Sequence, residues 1–223
     1  VAVIVALVLL LVGRSSTPAG SNGESQKTAT QILNDSASAF DNVRSVHLTG
    51  KGSSGTETDV YDLRVSGGGT EGTITADGAV ANFVNLGNDV YMRGRAFFTK
   101  FGGAQAGAVI GDRWVHLKAD DPQFGKYVQF LTLPGLRQVI SGIAAKSTVG
   151  KGSATHIGGA LVMPLRAVDG EVDVALDGKP YPARLQFKDT DRSADLRFTE
   201  YDATTTPPAR PTDVLELPGS PSA

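Results

Sequence analysis

Two periods of apolar and polar residues run through this chain, and each change of period marks a change of element. From Thr28 to Val43 (TATQILNDSASAFDNV), Ile32, Leu33, Ala37, Phe40 and Val43 recur every three or four positions, which predicts a helix with one apolar stripe. After it the period falls to two. VHLTGKGSS sets Val46, Leu48 and Gly50 against His47, Thr49 and Lys51, and VYDLRVSG sets Tyr61, Leu63 and Val65 against Asp62, Arg64 and Ser66. Such alternation predicts antiparallel strands with one buried and one wet face. TEGTITADG, AVANFVNLG, DVYMRG and AFFTKFGG continue as short strands, with tight-turn chemistry at Asp77-Gly78 and Gly87-Asn88-Asp89. GDRWVHL adds one more, with Trp114 and His116 on one side and Val115 and Leu117 on the other. The expected arrangement is a long meander, each strand paired with the one before it.

The pattern breaks at Asp120. DDPQFGKYVQFLTLPGLRQVISGIAAKS is rich in large apolar residues, and from Pro134 to Ala145 the spacing of Leu136, Val139, Ile140 and Ile143 is helical. Strands resume in KGSATHIGGALV, LRAVDGEVDVALDG, YPARLQFKDT and SADLRFTEY, with a hairpin signal at Asp177-Gly178. Gly50-Lys51-Gly52-Ser53 and Gly150-Lys151-Gly152-Ser153 each open a strand after a helix, but one four-residue match does not establish a duplication. The tail TTTPPARPTDVLELPGSPSA is proline-rich and expected to lie extended on the surface.

The start of the chain belongs to neither pattern. Val1 to Val12 is an unbroken apolar run, too short for the ~20 residues that span a bilayer but of the length of a secretory h-region. With no initiator methionine or basic n-region before it, the sequence is expected to begin partway through a signal. Ser15 to Lys27 is polar, Gly/Ser/Thr-rich and broken by Pro18, which predicts a flexible tether. The expected organisation is a leader (1–14), a tether (15–27), one folded domain (28–206) and a Pro-rich tail (207–223), in an exported protein.

Composition narrows the chemistry. Lys+Arg 21 against Asp+Glu 23 gives a net charge of −2, so no bulk field draws nucleic acid or an anionic membrane. Cys 0 excludes disulfides, thiolate metal sites and cysteine catalysis. The GKGS stretches fail as phosphate loops because Gly52 and Gly152 stand where Ser or Thr must follow the lysine. No G-x-S-x-G elbow is present. His47, His116 and His156 lie isolated in strand-like segments without metal-ligand spacing. Asp120-Asp121 before Pro122 reads as turn and capping chemistry, and Asp169/Glu171 and Asp189/Asp191 flank hairpins. The expectation is a protein that is not an enzyme and needs no metal or cofactor.

What remains is apolar surface. The predicted fold is α+β: a one-sided antiparallel sheet of about ten strands, large enough to be curved, with one helix and one apolar insert to cover its inner face. These are a small cover for so large a face. Where they fill the concavity the core is packed; where they do not, a lipophilic cavity remains. The segment Phe124–Ile143 is the natural cover or mouth.

Several stretches carry a family resemblance: the lipobox-like LLVGRSS, the helix running into SVHLTGKG, VYMRGRAFFTKFGG, DRWVHL, and DGKPYPARLQF before LRFTEYD. In these, from Leu11 onward, the chain resembles the LppX/LprA/LprF/LprG lipoproteins of actinobacterial envelopes, relatives in shape of the LolA/LolB carriers. The resemblance implies a curved antiparallel half-barrel with helices covering its concave face, enclosing a hydrophobic cavity, and a monomeric carrier of acylated lipid or glycolipid, served by a membrane transporter. The alternative on the same fold is an envelope sensor or protein-interaction module. The residues expected to line a cavity or its lid are Phe40, Phe83, Tyr91, Phe97, Phe124, Phe130, Leu131, Leu136 and Ile140. One departure matters. Arg14 stands where the family's lipidated cysteine would be, so no thioether to lipid can form there. Either a cysteine was replaced at this position, or the natural protein is released by signal cleavage or held by an uncut leader.

Overall fold

The computed structural model describes residues 21–119, 128, 131–146, 148–168, 170–204 and 206–216. The leader, residues 15–20 of the tether, and Phe124 and Phe130 lie outside them.

The first helix, α1 (Ala29–Asp41), forms where the stripe predicts. Thr28 caps it in a capping box: the Gln31 backbone donates to the Thr28 hydroxyl, and the Gln31 side chain accepts from the Thr28 backbone. Ile32, Leu33, Ala37 and Phe40 are buried on its inner face. Six antiparallel strands follow, joined by short turns except for a helical connection before the last: β1 (Ser45–Ser54), β2 (Glu57–Ser66), β3 (Gly69–Ala76), β4 (Ala79–Leu86), β5 (Asp89–Arg93) and β6 (Trp114–Lys118). A second meander contains β7 (Gly150–Lys151), β8 (Thr155–Ile157), β9 (Ala160–Ala167), β10 (Gly170–Ala175), β11 (Pro182–Lys188) and β12 (Arg192–Thr199). The two are one sheet, because β1 pairs β12 antiparallel. A last strand, β13 (Val214–Glu216), runs parallel to β6 and extends the far edge. Thirteen strands are thus described, ten of them five residues or longer.

Register sorts the faces. Phe198, Leu48, Leu63, Gly72, Phe83, Met92 and Val115 form one row across seven strands, on the face that packs under the helices. One position along, Thr199, His47, Arg64, Glu71, Val84, Tyr91 and His116 form the matching row on the opposite face. Glycine at Gly50 and Gly72 is required by close approach, since both have φ near +145°. A Cβ there would stand 2.1 and 2.0 Å from the carbonyl oxygens of Asp195 and Asp62.

Four expectations change. AFFTKFGG is not a strand but the start of α2 (Arg95–Ile110), kinked at Gly103, whose φ is 82°. Phe97 and Phe101 satisfy a period of two and also one helical turn, and their rings meet at a tilt with centroids 4.7 Å apart along the helix. KGSATHIGGALV is not one strand: it supplies the end of β7, all of β8 and the start of β9, and β9 runs on through Pro164 to Ala167. The Pro164 carbonyl accepts from the Gly152 amide at 2.8 Å, so its imide nitrogen, which has no hydrogen to donate, faces the same side, past the end of β7 at Lys151. Residues 21–27 of the predicted tether lie against the domain: Asn22 donates from its backbone to Leu176 O and from its side chain to Ala175 O, each at 2.9 Å. Hydrogen bonding there supplies what the segment lacks in apolar side chains. The tail, finally, is not wholly extended surface chain, since Val214–Glu216 joins the sheet and Leu215 packs against the core.

Candidate functional site

The third helix, α3 (Leu133–Lys146), forms within the predicted insert. Thr132 caps it, accepting from the Gly135 amide at 3.1 Å, and Pro134 sits in the first turn, where its missing N–H is harmless. The helix has two working faces. Leu136 and Ile140 are buried in the core, where α3 meets α1. Arg137 ties the helices further, its Nη2 donating to Val43 O at 2.6 Å. The other face carries Gly135, Gln138, Val139 and Gly142. Beneath it lies a cavity of about 1130 Å³.

The cavity's far wall is Leu165, Val172 and Leu185 of β9–β11, and its opposite end is the β4–β5 hairpin at Asn85, Gly87 and Asn88. These strands are far apart in the sheet order, so the sheet must curl to bring them to one cavity. Phe187, 39% exposed, stands at the rim. Past it a second, more polar hollow of about 620 Å³ continues along Lys51, Ser53 and Arg166. Among the described residues lining the larger cavity the only charged one is Glu171, whose carboxylate accepts from Arg166 Nε at 2.6 Å. On the back of that wall Asp173 is fully buried with neither carboxylate oxygen hydrogen-bonded. Burial pushes its carboxyl up to about 6, Glu171 pushes the same way, and Arg184 and Arg166 oppose.

The seven described residues among the nine expected to line a cavity are not on its wall, and Phe124 and Phe130 lie outside the described residues. Phe40 is buried in the packed core, edge-on to Phe198 and Tyr201. Phe83 is core on the inner row, and Phe97 packs in α2 against Phe98 and Phe101. Leu131, Leu136 and Ile140 belong to the lid segment but face the core. Tyr91 is on the wrong face. Phe83 pairs with Met92, so its neighbour Tyr91 points away from the helices. There it stacks on His116 at 5.0 Å, with the Arg210 guanidinium 5.9 Å from its ring. The cavity's own lining mixes small residues, Gly135, Gly142, Ala167 and Gly170, with aliphatic ones such as Leu165, Val172 and Leu185, and the signal that could have pointed to it is two glycines inside a predicted helix.

Two histidines that spacing left isolated acquire carboxylates on the outer face. His116 is 1% exposed, with Asp89 2.7 Å from Nε2 and Glu216 2.7 Å from Nδ1. The Glu216 contact fastens β13 to the sheet edge. His47 lies 2.7 Å from Asp62 and 3.4 Å from Glu200. Neither cluster borders the cavity, and among the described residues no three His, Asp or Glu are placed to hold a metal ion. No described helix is long and apolar enough to cross a membrane.

No family model and no curated protein matches the chain. Solved structures do. LprF from Mycobacterium bovis superposes with a TM-score of 0.58 at 14% identity, over 81% of this chain and 96% of LprF. The lipoprotein LppX of Mycobacterium tuberculosis superposes with a TM-score of 0.57 at 13% identity, over 81% of this chain and 98% of LppX. The half-barrel with its helical cover, built here from strand register and helix faces, is the fold of the LprF and LppX lipoproteins.

Proposed function

We propose that this chain is a cell-envelope carrier that shelters the acyl chains of a lipid or glycolipid beneath α3 while the lipid passes between membrane layers. One observation carries the reading: a cavity of about 1130 Å³ with largely apolar walls and no lysine or arginine among its described lining residues. That volume lies just above the ~300–1,000 Å³ usual for small-molecule sites. Each methylene moved from water into such walls contributes ~0.8 kcal/mol, so ten of them supply ~8 kcal/mol, which offsets the freedom the lipid loses on binding. The predicted apolar leader supports a place in the envelope. A membrane transporter is the partner such a role requires, with the carrier acting as a monomer. Binding and release need no acid, base or nucleophile.

Native mass spectrometry of gently purified protein, before and after solvent extraction, tests the reading. A mass difference equal to one or more acyl lipids is expected, with the lipid recovered in the solvent. Equal masses and an empty extract overturn it. Recovery of a protein partner by a chain that takes up no lipid favours the interaction-module reading instead.

A further inference from the structure

One polar side chain at the cavity is out of keeping with its surroundings. Asn85 stands on the inner face of β4, its register partners Thr70 on β3 and Val90 on β5. It is 1% exposed, and neither its Oδ1 nor its Nδ2 has a hydrogen-bond partner among the described residues. Thr70 beside it is satisfied, donating to Leu131 O at 2.6 Å. An amide buried without partners is destabilising by about 1–3 kcal/mol, and Phe83, Val90 and Met92 nearby show that an apolar residue suits this face. Asn85 is also on the wall of the cavity, at the hairpin end away from Phe187.

From this placement we infer that Asn85 is the polar anchor of the cavity, hydrogen-bonding an uncharged group of the bound lipid next to its acyl chains. The inference rests on the carrier reading and adds a specificity determinant to it. The amide offers two N–H donors and one carbonyl acceptor. An ester carbonyl can accept from the first, and a free hydroxyl of a glycerol or sugar can give to the second. A phosphate or carboxylate fits poorly, because the larger cavity offers no described cation to neutralise it. A pure hydrocarbon would leave the amide as unpaired as it is without ligand.

Equilibrium uptake of dioleoylglycerol and of squalane by the full chain tests the anchor, in the wild type, in Asn85→Leu and in Asn85→Ser. Asn85→Leu is expected to weaken dioleoylglycerol binding about tenfold, the value of one or two lost hydrogen bonds, and to leave squalane binding unchanged or tighter. The same variant should melt at a higher temperature without ligand. Asn85→Ser, which keeps a hydroxyl, should retain part of the preference and decides the matter where the leucine variant does not fold. Equal binding of dioleoylglycerol by wild type and variants overturns the anchor while the carrier reading stands. A parallel loss of both probes overturns it too, since that reports cavity shape. Uptake of neither probe by the wild type overturns the carrier reading and the anchor with it.

Discussion

Asp173 is the residue with the clearest pH signature. Its carboxyl, raised by burial to about 6 from 3.8, holds its proton in the folded chain after the unfolded chain has lost it. Stability therefore falls as pH rises from about 4 to about 6 and stays lowered above that. Asp173→Asn should be more stable than wild type at pH 7, on the order of 2 kcal/mol, with the difference gone at pH 4. Urea titrations at the two pH values check this. Single residues were also the least legible part of the sequence. Aromatic side chains were the natural candidates for a lipophilic site, yet Phe40 and Phe83 gain most from close packing and so fill the solid part of the core. A cavity persists where volume is missing, and residues as far apart in the chain as Gly142 and Ala167 share its wall only once the fold has brought them together. Tyr91 was lost to parity, since a strand's alternation gives two faces without saying which is inner.

Elements were read more successfully. The stripe of α1, the helical spacing after Pro134 and the two meanders all follow from period alone. α2 did not, because AFFTKF fits both periods and Gly102-Gly103 looks like a turn where the chain only kinks. In α3 the helix was legible and its empty face was not. That face gives a prediction at this scale. Gly142 lies on the cavity wall, and a Cβ built there meets nothing within 4 Å. Gly142→Phe should fill the cavity without disturbing α1 or the sheet. Lipid uptake should fall at least tenfold while the melting temperature holds or rises, because glycine inside a helix is unfavourable by about 1 kcal/mol. Unchanged uptake, or a variant that no longer folds, would contradict the placement of this face.

For the whole molecule the decisive join is β1 with β12, which makes one sheet of two meanders. Gly50 sits in that seam. Gly50→Ala places a methyl 2.1 Å from Asp195 O and should destabilise the chain by about 3 kcal/mol or more. Gly55→Ala, at the β1–β2 turn with open space around it, should cost about 1 kcal/mol for its positive φ alone. Denaturant melts of the two variants separate seam from turn. The join could not be read from the sequence, because no local pattern distinguishes two sheets from two halves of one. It also sets an order of events. Leu48 and Phe198 are 150 positions apart, whereas most other strand pairs connect neighbours in the chain. Contacts between near neighbours form early, and those across long separations form late. As the chain emerges from the ribosome, β1 can take up β2 within seconds, but its other edge stays unpaired until residues 192–199 have been made. For most of its synthesis this protein presents an open strand to whatever chain lies alongside.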